Sequence, residues 1–252
     1  MQFAIINGLR RLPEKNLKGH CPLCGQETLS KCGPKNRWHW AHKGRRHCDP
    51  WWENETQWHL DWKNHFPERT REVVQFDPQS GEKHIADIKT EGGVVIELQH
   101  SSMPLDELKS REAFYKKMIW IVDAIPFLRN FKISRHPLPD PASPLAQKVR
   151  FQGEGDVAGS MFYMVSDMVD RSHGIQLHSA RKFMDEILAT HKGHYFLEWK
   201  KRREVWFHAA THVFFDVGGD DLLWLQRYDD SGRTCVRKIP KKQLIEKYGG
   251  SL

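Results

Sequence analysis

Hydrophobic and polar positions between residues 53 and 124 predict one compact α/β unit. Aromatic side chains recur at every fourth position at Trp58, Trp62 and Phe66, which is typical of one face of a helix over residues 53–66. The other predicted elements are short apolar runs and a second helix: strands at residues 71–76, 83–89 and 94–100, a helix at about 104–118 and a strand at 119–122. The predicted order is helix, three strands, helix, strand.

A proline-rich stretch separates this unit from the rest of the chain. Residues 137–144 contain four prolines, which neither a helix nor a central strand tolerates. Beyond it, a helical pattern at 179–190 and β-type runs over 205–239 predict an α+β region. We therefore expect four domains: an N-terminal strand and zinc module at 1–50, the α/β core at 51–125, a linker and irregular segment at 126–180, and the C-terminal region at 181–252.

Composition is that of a globular protein. The 252 residues are 39% hydrophobic and 28% charged, and no apolar stretch approaches the 18 to 20 residues of a membrane span. The four-residue apolar run near the start is too short for a secretory signal. A cytoplasmic location without membrane association is expected.

Charge is distributed unevenly along the chain. Residues 1–50 hold ten Lys or Arg against three Asp or Glu, whereas residues 51–100 hold five against ten. A basic module beside an acidic segment is typical of a protein that binds a polyanion such as nucleic acid. Six basic side chains are predicted to contact nucleic acid: Lys35, Arg37, Lys43, Arg45, Arg46 and Lys63. The later basic run at 200–203 could contact nucleic-acid backbone, but four basic residues ahead of a strand are more often just an exposed surface.

Four of the five cysteines fall within 28 residues, which favours metal binding over a disulfide framework. Cys21 and Cys24 have the two-residue spacing that lets two thiolates bind one zinc ion. His39 and His42 offer two imidazoles, with fourteen residues between Cys24 and His39, so these four residues are the predicted structural zinc ligands. Three further side chains are alternatives that lack paired spacing: Cys32, His47 and Cys48.

Carboxylates cluster on the predicted hairpin. Asp87 and Glu97 lie five residues on either side of Gly92, so they are expected opposite each other on neighbouring strands. Facing carboxylates at the end of an apolar strand favour a hard cation such as Mg²⁺ or Mn²⁺. Glu55 shares a helical stripe with His59 and Lys63 and is a candidate to complete this site.

The second helix adds a cation on its inner side. Arg111 and Tyr115 share a face with Leu108, and an inward arginine usually pairs with a carboxylate or a phosphate. Arg111 is therefore expected to hold Glu97 or a phosphate group.

Together these motifs resemble the CoiA-like family of bacterial competence proteins over about residues 1–125. The resemblance rests on CPLCG, WHWAH, ENETQWHLDWK, HIAD, IELQHS and the spacing of Arg111 and Tyr115. It implies a PD-(D/E)XK nuclease-like core, with Asp87 and Glu97 as metal ligands and Glu55 as an outer acid. Gln99 would stand where the wider superfamily usually has a lysine. Three nearby side chains could supply the missing cation: Lys63, His59 or Lys89.

We therefore expect a Mg²⁺- or Mn²⁺-dependent deoxyribonuclease acting in DNA uptake, recombination or defence. In this hypothesis Asp87 and Glu97 hold the metal, Gln99 positions the attacking water and Arg111 steadies the phosphate or Glu97. Expected partners are single-stranded DNA or processed duplex, together with recombination proteins. The alternative is a nuclease-like module that binds DNA or a recombination partner without cutting. A hydrolase of small phosphate esters is the weakest option, since no phosphate-cradling glycine loop is present.

Overall fold

The computed structural model describes residues 1–34, 38–44, 48–153, 155, 157–169 and 174–252. The chain forms two units, one made of Met1–Trp120 with Ile245–Leu252 and the other of Ile121–Leu244. The mixed α/β class expected from the sequence is confirmed. The finer division at residues 50, 125 and 180 stays a prediction. Within the described ranges, no helix combines the length and apolar character that crossing a membrane requires.

The first unit begins with a five-stranded antiparallel sheet in the order β2-β1-β3-β4-β5. Its strands are short: β1 (Ala4–Ile6), β2 (Leu9–Arg11), β3 (Lys18–His20), β4 (Glu27–Lys31) and β5 (His39–His42). Trp40 on β5 is buried, and its indole N–H donates to the Arg11 carbonyl at 2.9 Å. The basic N-terminal segment thus has a small folded core of its own.

The same unit continues with the predicted order of helix, three strands, helix and strand. Its elements are α1 (Gln57–Asn64), β6 (Arg71–Phe76), β7 (Lys83–Lys89), β8 (Val95–Gln99), α2 (Leu105–Tyr115) and the first half of β9 (Met118–Asp123), with a 3-10 turn at Glu68–Thr70; the second half of β9 belongs to the second unit. Strands β6, β7 and β8 pair antiparallel, and β9 neighbours β8. Thr56 caps α1, accepting from the His59 backbone N–H, so the helix begins four residues later than predicted.

Apolar residues of these elements form the core that supports the site. Strand β8 is buried at all five positions, so it lies in the interior of the sheet. Helix α2 buries Leu108, Arg111 and Tyr115, which confirms the inner side expected from their spacing. Trp62 and Phe66, two of the three residues in the predicted aromatic stripe, are also buried.

The second unit is built from two antiparallel sheets. Five strands pair in the order β10-β14-β17-β16-β15: β10 (Phe131–Ile133), β14 (His194–Trp199), β15 (His212–Asp216), β16 (Asp221–Arg227) and β17 (Thr234–Pro240). A smaller sheet pairs β11 (Val149–Phe151), β12 (Met161–Met164) and β13 (Leu177–Ser179) in sequence order.

Short helices complete the chain: α3 (Pro144–Lys148), α4 (Val165–Val169), α5 (Met184–Thr190) and α6 (Lys241–Lys247), with 3-10 turns at Ile125–Asn130, Ala180–Phe183 and Glu204–His208. The run predicted as a strand from residue 205 therefore begins as a 3-10 turn, and pairing starts only at His212. One cluster of buried side chains includes Leu138, Phe151, Phe162 and Phe196 and gives this unit its core.

Candidate functional site

Three cysteines and one histidine come together beside the N-terminal sheet. The ligand atoms of Cys21, Cys24, His42 and Cys48 all lie within 4.8 Å of one another. Cys21 Sγ lies 3.6 Å from Cys48 Sγ, and Cys24 Sγ lies 3.3 Å from His42 Nε2. Two sulfurs that each lie about 2.3 Å from a tetrahedral zinc are about 3.7 Å apart. This group, the metal cluster, could therefore hold a zinc ion.

The sequence CPLCG forms the tight turn that brings its two cysteines together. Cys21 directly follows β3, and its carbonyl accepts from the Gly25 backbone N–H at 2.9 Å. Gly25 has a φ of +73°, which a glycine adopts without steric cost. The Leu23 N–H also points at Cys21 Sγ, at 3.4 Å. The turn thus orients the Cys21 sulfur for metal binding.

The fourth member of the metal cluster is Cys48, which corrects the prediction of His39. His39 and His42 are the first and last residues of β5, three positions apart. Because side chains alternate along a strand, residues three apart point to opposite faces. Among the described residues, His42 and Cys48 join the two cysteines and His39 does not; the alternative ligand His47 lies outside the residues that the structure describes. The error came from reading the two histidines as a pair without first assigning them to a strand.

Burial favours the neutral form of two thiols in the metal cluster. Burial raises the pKa of the Cys21 thiol, and burial followed by repulsion from Cys21 raises the pKa of the Cys48 thiol. Zinc binds thiolates, and a divalent cation among these sulfurs would oppose both effects. An ion held by these four protein ligands would have a complete tetrahedral shell and so would be structural.

A second group of ionisable side chains surrounds a cavity of about 90 Å³ in the first unit, enough for a few water molecules. We call it the carboxylate cavity. Its acidic and basic lining comes from both helices, the preceding loop and strands β6 to β8: Asp49, Glu53, Glu55, His59, Lys63, Glu72, Asp87, Glu97 and Arg111.

Asp87 and Glu97 occupy opposing positions on β7 and β8. Ile88 pairs with Ile96, so the same register sets Asp87 across from Glu97. At this position the two carboxylates accept hydrogen bonds from the backbone of the opposite strand. The Asp87 N–H donates to Glu97 Oε1 at 3.3 Å, and the Leu98 N–H donates to Asp87 Oδ2 at 3.0 Å. The opposition expected from the hairpin arithmetic is thus present, and both carboxylates line the carboxylate cavity.

Lys63 stands among three carboxylates. Its Nζ lies 2.8 Å from Glu55 Oε1, 3.0 Å from Asp87 Oδ1 and 3.2 Å from Glu72 Oε1. Burial alone would lower the pKa of Lys63, but Asp87, Glu72 and Glu55 raise it well above its ordinary value. The residue is only 4% exposed, which corrects the prediction that it lies on the nucleic-acid surface. It instead supplies a cation at the carboxylate pair.

Arg111 holds the other carboxylate. Its Nη1 donates to Glu97 Oε2 at 3.0 Å, and its Nη2 donates to the Trp51 carbonyl at 2.8 Å and also to Glu107. Burial, and then repulsion from Asp87, raises the pKa of Glu97 to about 8 even though Arg111 opposes the change. The predicted pairing of Arg111 with Glu97 is present in the structure.

Glu72 is a residue of the carboxylate cavity that sequence reasoning missed. It lies on β6 with a φ of +46°, a left-handed backbone that is strained for a side chain of this size. One carboxylate oxygen binds Lys63, and the other accepts the Gln2 N–H at 2.7 Å. Glu72 is buried, whereas most other residues of β6 are half-exposed. Its burial depends on Lys63 and Gln2, which lie 9 and 70 residues away in the sequence. No local pattern carries that information.

Gln99 lies elsewhere than the water-positioning prediction requires. It is buried, its amide donates to Ser101 Oγ at 3.2 Å, and it does not contribute to the lining of the carboxylate cavity. Its Oε1 has no hydrogen-bond partner. Two other side chains were candidates for the missing cation. His59 lines the carboxylate cavity, whereas Lys89 does not line it and donates to Gln75.

Glu53 is another acid that the sequence analysis overlooked. Its carboxylate accepts the Ser101 N–H and lies 3.7 Å from His59 Nε2. Burial opposes ionisation, but His59 and Ser101 lower the pKa of Glu53 to about 2. Glu53 therefore fixes the loop after β8 as an ionised acceptor.

Little of the predicted basic surface can be placed. Lys43 is 61% exposed and pairs with Glu27 at 3.1 Å. The other four surface residues, Lys35, Arg37, Arg45 and Arg46, lie outside the described residues.

Comparison with known proteins bears on the metal cluster. Residues 7–50 match the family model of the competence protein CoiA, N-terminal domain. The CoiA match contains all four members of the metal cluster and ends before Glu53 and the other acids of the carboxylate cavity, apart from Asp49. The expected CoiA-like resemblance is thus confirmed for this segment. No curated protein and no solved structure gave a significant match to the chain.

Proposed function

We propose that this protein is a metal-dependent deoxyribonuclease whose reaction centre is the carboxylate cavity. The observation that carries the proposal is the opposition of Asp87 and Glu97 on neighbouring strands, with a buried lysine 3.0 Å from one of them. The surrounding order of helix, three strands, helix and strand is the one expected of a PD-(D/E)XK nuclease-like core.

Charge in the carboxylate cavity fits a divalent cation. Four carboxylates, Glu55, Glu72, Asp87 and Glu97, face two cationic side chains, Lys63 and Arg111, so the six carry a formal charge of −2. Burial, and then repulsion from Asp87, raises the pKa of Glu97, and a divalent cation at this carboxylate would oppose both effects. Oxygen ligands and uncompensated negative charge are what Mg²⁺ and Mn²⁺ prefer. Asp87 and Glu97 would hold the ion, which when bound would acidify a water and offset charge on the phosphate.

The protein's own side chains account for the remaining requirements. Lys63 places a buried ammonium group at the carboxylate pair. It would therefore do the work of the lysine that the superfamily usually has at the position of Gln99. Its charge would stabilise negative charge that develops on the phosphate. Arg111 fixes the orientation of Glu97 through a charge-assisted hydrogen bond. Glu72 and Glu55 keep Lys63 protonated and in place.

The CoiA match supplies a setting. Because the match over residues 7–50 is to a competence protein, it supports the proposal that the activity serves DNA uptake or the recombination that follows it. The metal cluster would keep the basic N-terminal segment folded, and that segment would bind backbone phosphates with an affinity that falls as salt rises.

A second candidate function is DNA binding without cleavage. It is favoured by Lys63, whose ammonium already satisfies three of the four carboxylates. In this case the charged residues of the carboxylate cavity would form an internal ion-pair network. That network would contribute only to the specificity of folding.

Cleavage assays distinguish the two. Labelled single-stranded and duplex DNA are incubated with the protein in Mg²⁺, in Mn²⁺ or without divalent metal, alongside Asp87→Asn and Glu97→Gln. Asp61→Asn, an exposed carboxylate on α1, is the matched control. We expect metal-dependent cleavage that falls at least about 100-fold in the two cavity variants and is unchanged in the control. Binding without cleavage in either metal would support the second function.

A further inference from the structure

A basic cleft of about 570 Å³ lies in the second unit, away from the residues discussed so far. Among the residues that the structure describes, its charged lining consists of four cationic side chains and one carboxylate: Lys132, Arg202, Arg227, Arg233 and Glu198. We call it the arginine cleft. It incorporates one residue of the basic run at 200–203 that the sequence analysis took for an ordinary exposed surface.

Two of the arginines share one aromatic ring. The guanidinium of Arg202 lies 4.9 Å from the centre of the Phe207 ring, and that of Arg227 lies 5.6 Å from the same centre. Arg202 also has Glu204 at 3.8 Å, and Arg227 donates to the Gly232 carbonyl at 2.7 Å. These contacts fix the stems of both side chains. Because Glu198 lies 3.8 Å from Lys132 Nζ and Glu204 lies beside Arg202, the described charged groups keep a formal excess of two positive charges, four cations against two carboxylates. Two guanidinium groups on one ring repel each other unless an anion lies near both.

The arginine cleft also contains hydrogen-bond donors without acceptors. Nη1 of Arg233 is buried and has no partner, and the same is true of the indole Nε1 of Trp199, which lines the cleft and is 5% exposed. Buried donors are normally satisfied, so an unpartnered pair in one cleft calls for an explanation. A multi-oxygen anion would supply acceptors to both. The lining glycine Gly153 leaves room for Arg233, because a Cβ there would lie 2.7 Å from Arg233 Cδ.

We propose that the arginine cleft binds phosphate groups of a nucleic-acid strand. Arginine presents a planar fork of donors that matches phosphate oxygens and stacks on aromatic rings, which is the arrangement seen at Phe207. A strand is preferred to a single phosphate because a neighbouring cavity of about 600 Å³ shares Lys132, Gly153 and Glu198 with the cleft and adds Arg135. Successive phosphates could follow this path. The proposal does not depend on the carboxylate cavity.

Fluorescence anisotropy with a labelled oligothymidylate 20-mer tests the proposal, in buffer without Mg²⁺ or Mn²⁺ and over a range of salt. The test variant is Arg202→Gln with Arg233→Gln, and the matched control is Arg181→Gln with Lys182→Gln, two exposed cations of the same unit that do not line the cleft. For a single strand, loss of two phosphate contacts should lower the magnitude of the log–log salt slope by about 1.4 and weaken binding roughly 10- to 30-fold near 0.1 M salt.

A second variant separates charge from folding. Arg202→Lys with Arg233→Lys keeps the charge and should retain most of the salt slope, whereas the glutamine pair should not. Competition with pyrophosphate and with a mononucleotide identifies the source of the phosphate. Displacement of the labelled strand only by unlabelled oligonucleotide would support a nucleic-acid strand as the ligand. Displacement by pyrophosphate at similar concentrations would instead identify a free phosphate anion as the ligand and overturn the proposal of a strand. An unchanged slope and affinity in the glutamine variant, or equal losses in the control pair, would overturn the proposal.

Discussion

At the scale of single residues, the carboxylate cavity is organised around Lys63. A buried ammonium would be costly alone, yet three carboxylates within 3.2 Å hold it in the charged form. Glu72 accepts backbone strain to reach it and uses its second oxygen to bind the Gln2 N–H. In the proposed nuclease, the cation at the carboxylate pair would therefore come from Lys63 and not from the position of Gln99.

Removing that ammonium should destabilise the fold. Lys63→Met leaves three buried carboxylates without their shared cation, so we expect a loss of about 3–5 kcal/mol in the free energy of unfolding at pH 7. The double variant with Glu72→Gln should recover part of the loss, because one of the stranded charges is removed. Urea unfolding measures both. A Lys63→Met protein as stable as wild type would show that the ion pairs contribute nothing to the folded state.

At the scale of elements, strand alternation decided which predictions held. The hairpin joining β7 and β8 follows from a pair of glycines and period-two patterns, so the opposition of Asp87 and Glu97 could be worked out by arithmetic. The same alternation applied to β5 excludes His39 from the metal cluster, but only once His39–His42 is known to be a strand. Assigning the element has to precede pairing the ligands.

Zinc content separates the two ligand assignments. Cys48→Ala removes a member of the metal cluster, and we expect the purified protein to fall well below one zinc per chain. His39→Ala, the ligand predicted from spacing, should keep about one zinc. Elemental analysis of the native proteins provides the measurement. Full zinc in Cys48→Ala together with loss in His39→Ala would restore the original prediction.

Strand β14 carries a buried histidine that should make the second unit acid-sensitive. Burial, and then repulsion from Arg237, lowers the pKa of His194 from 6.5 to about 4. Below pH 6.5 His194 is protonated in the unfolded chain but stays neutral in the folded chain. The free energy of unfolding therefore falls as the pH drops from 6.5 towards 4.

We expect His194 to account for roughly 2 kcal/mol of this loss after solvent screening is allowed for. His194→Gln, which does not titrate, should lose correspondingly less stability between pH 7 and pH 4 in urea unfolding experiments. Parallel pH profiles for the two proteins would contradict this account.

At the scale of the whole molecule, local patterns predicted the first unit better than the second. The strands at 71–76 and 83–89 were placed to the residue, because short turns and alternation define them. In the second unit, strand β14 pairs with β10 and with β17, neither of which is next to it in the chain, and no local pattern encodes these pairings. Glu72 and the arginine cleft were missed for the same reason: each depends on residues that only the tertiary fold brings together.

The central claim is that uncompensated negative charge in the carboxylate cavity binds a divalent cation. Mn²⁺ titration followed by electron paramagnetic resonance, on protein with its zinc content verified, measures this directly. We predict one Mn²⁺ per chain in the wild type, with binding weakened at least about 10-fold in Asp87→Asn and unchanged in Asp61→Asn. Equal Mn²⁺ binding by the wild type and Asp87→Asn, or no binding by either, would contradict the assignment of this cavity as a metal-dependent nuclease site.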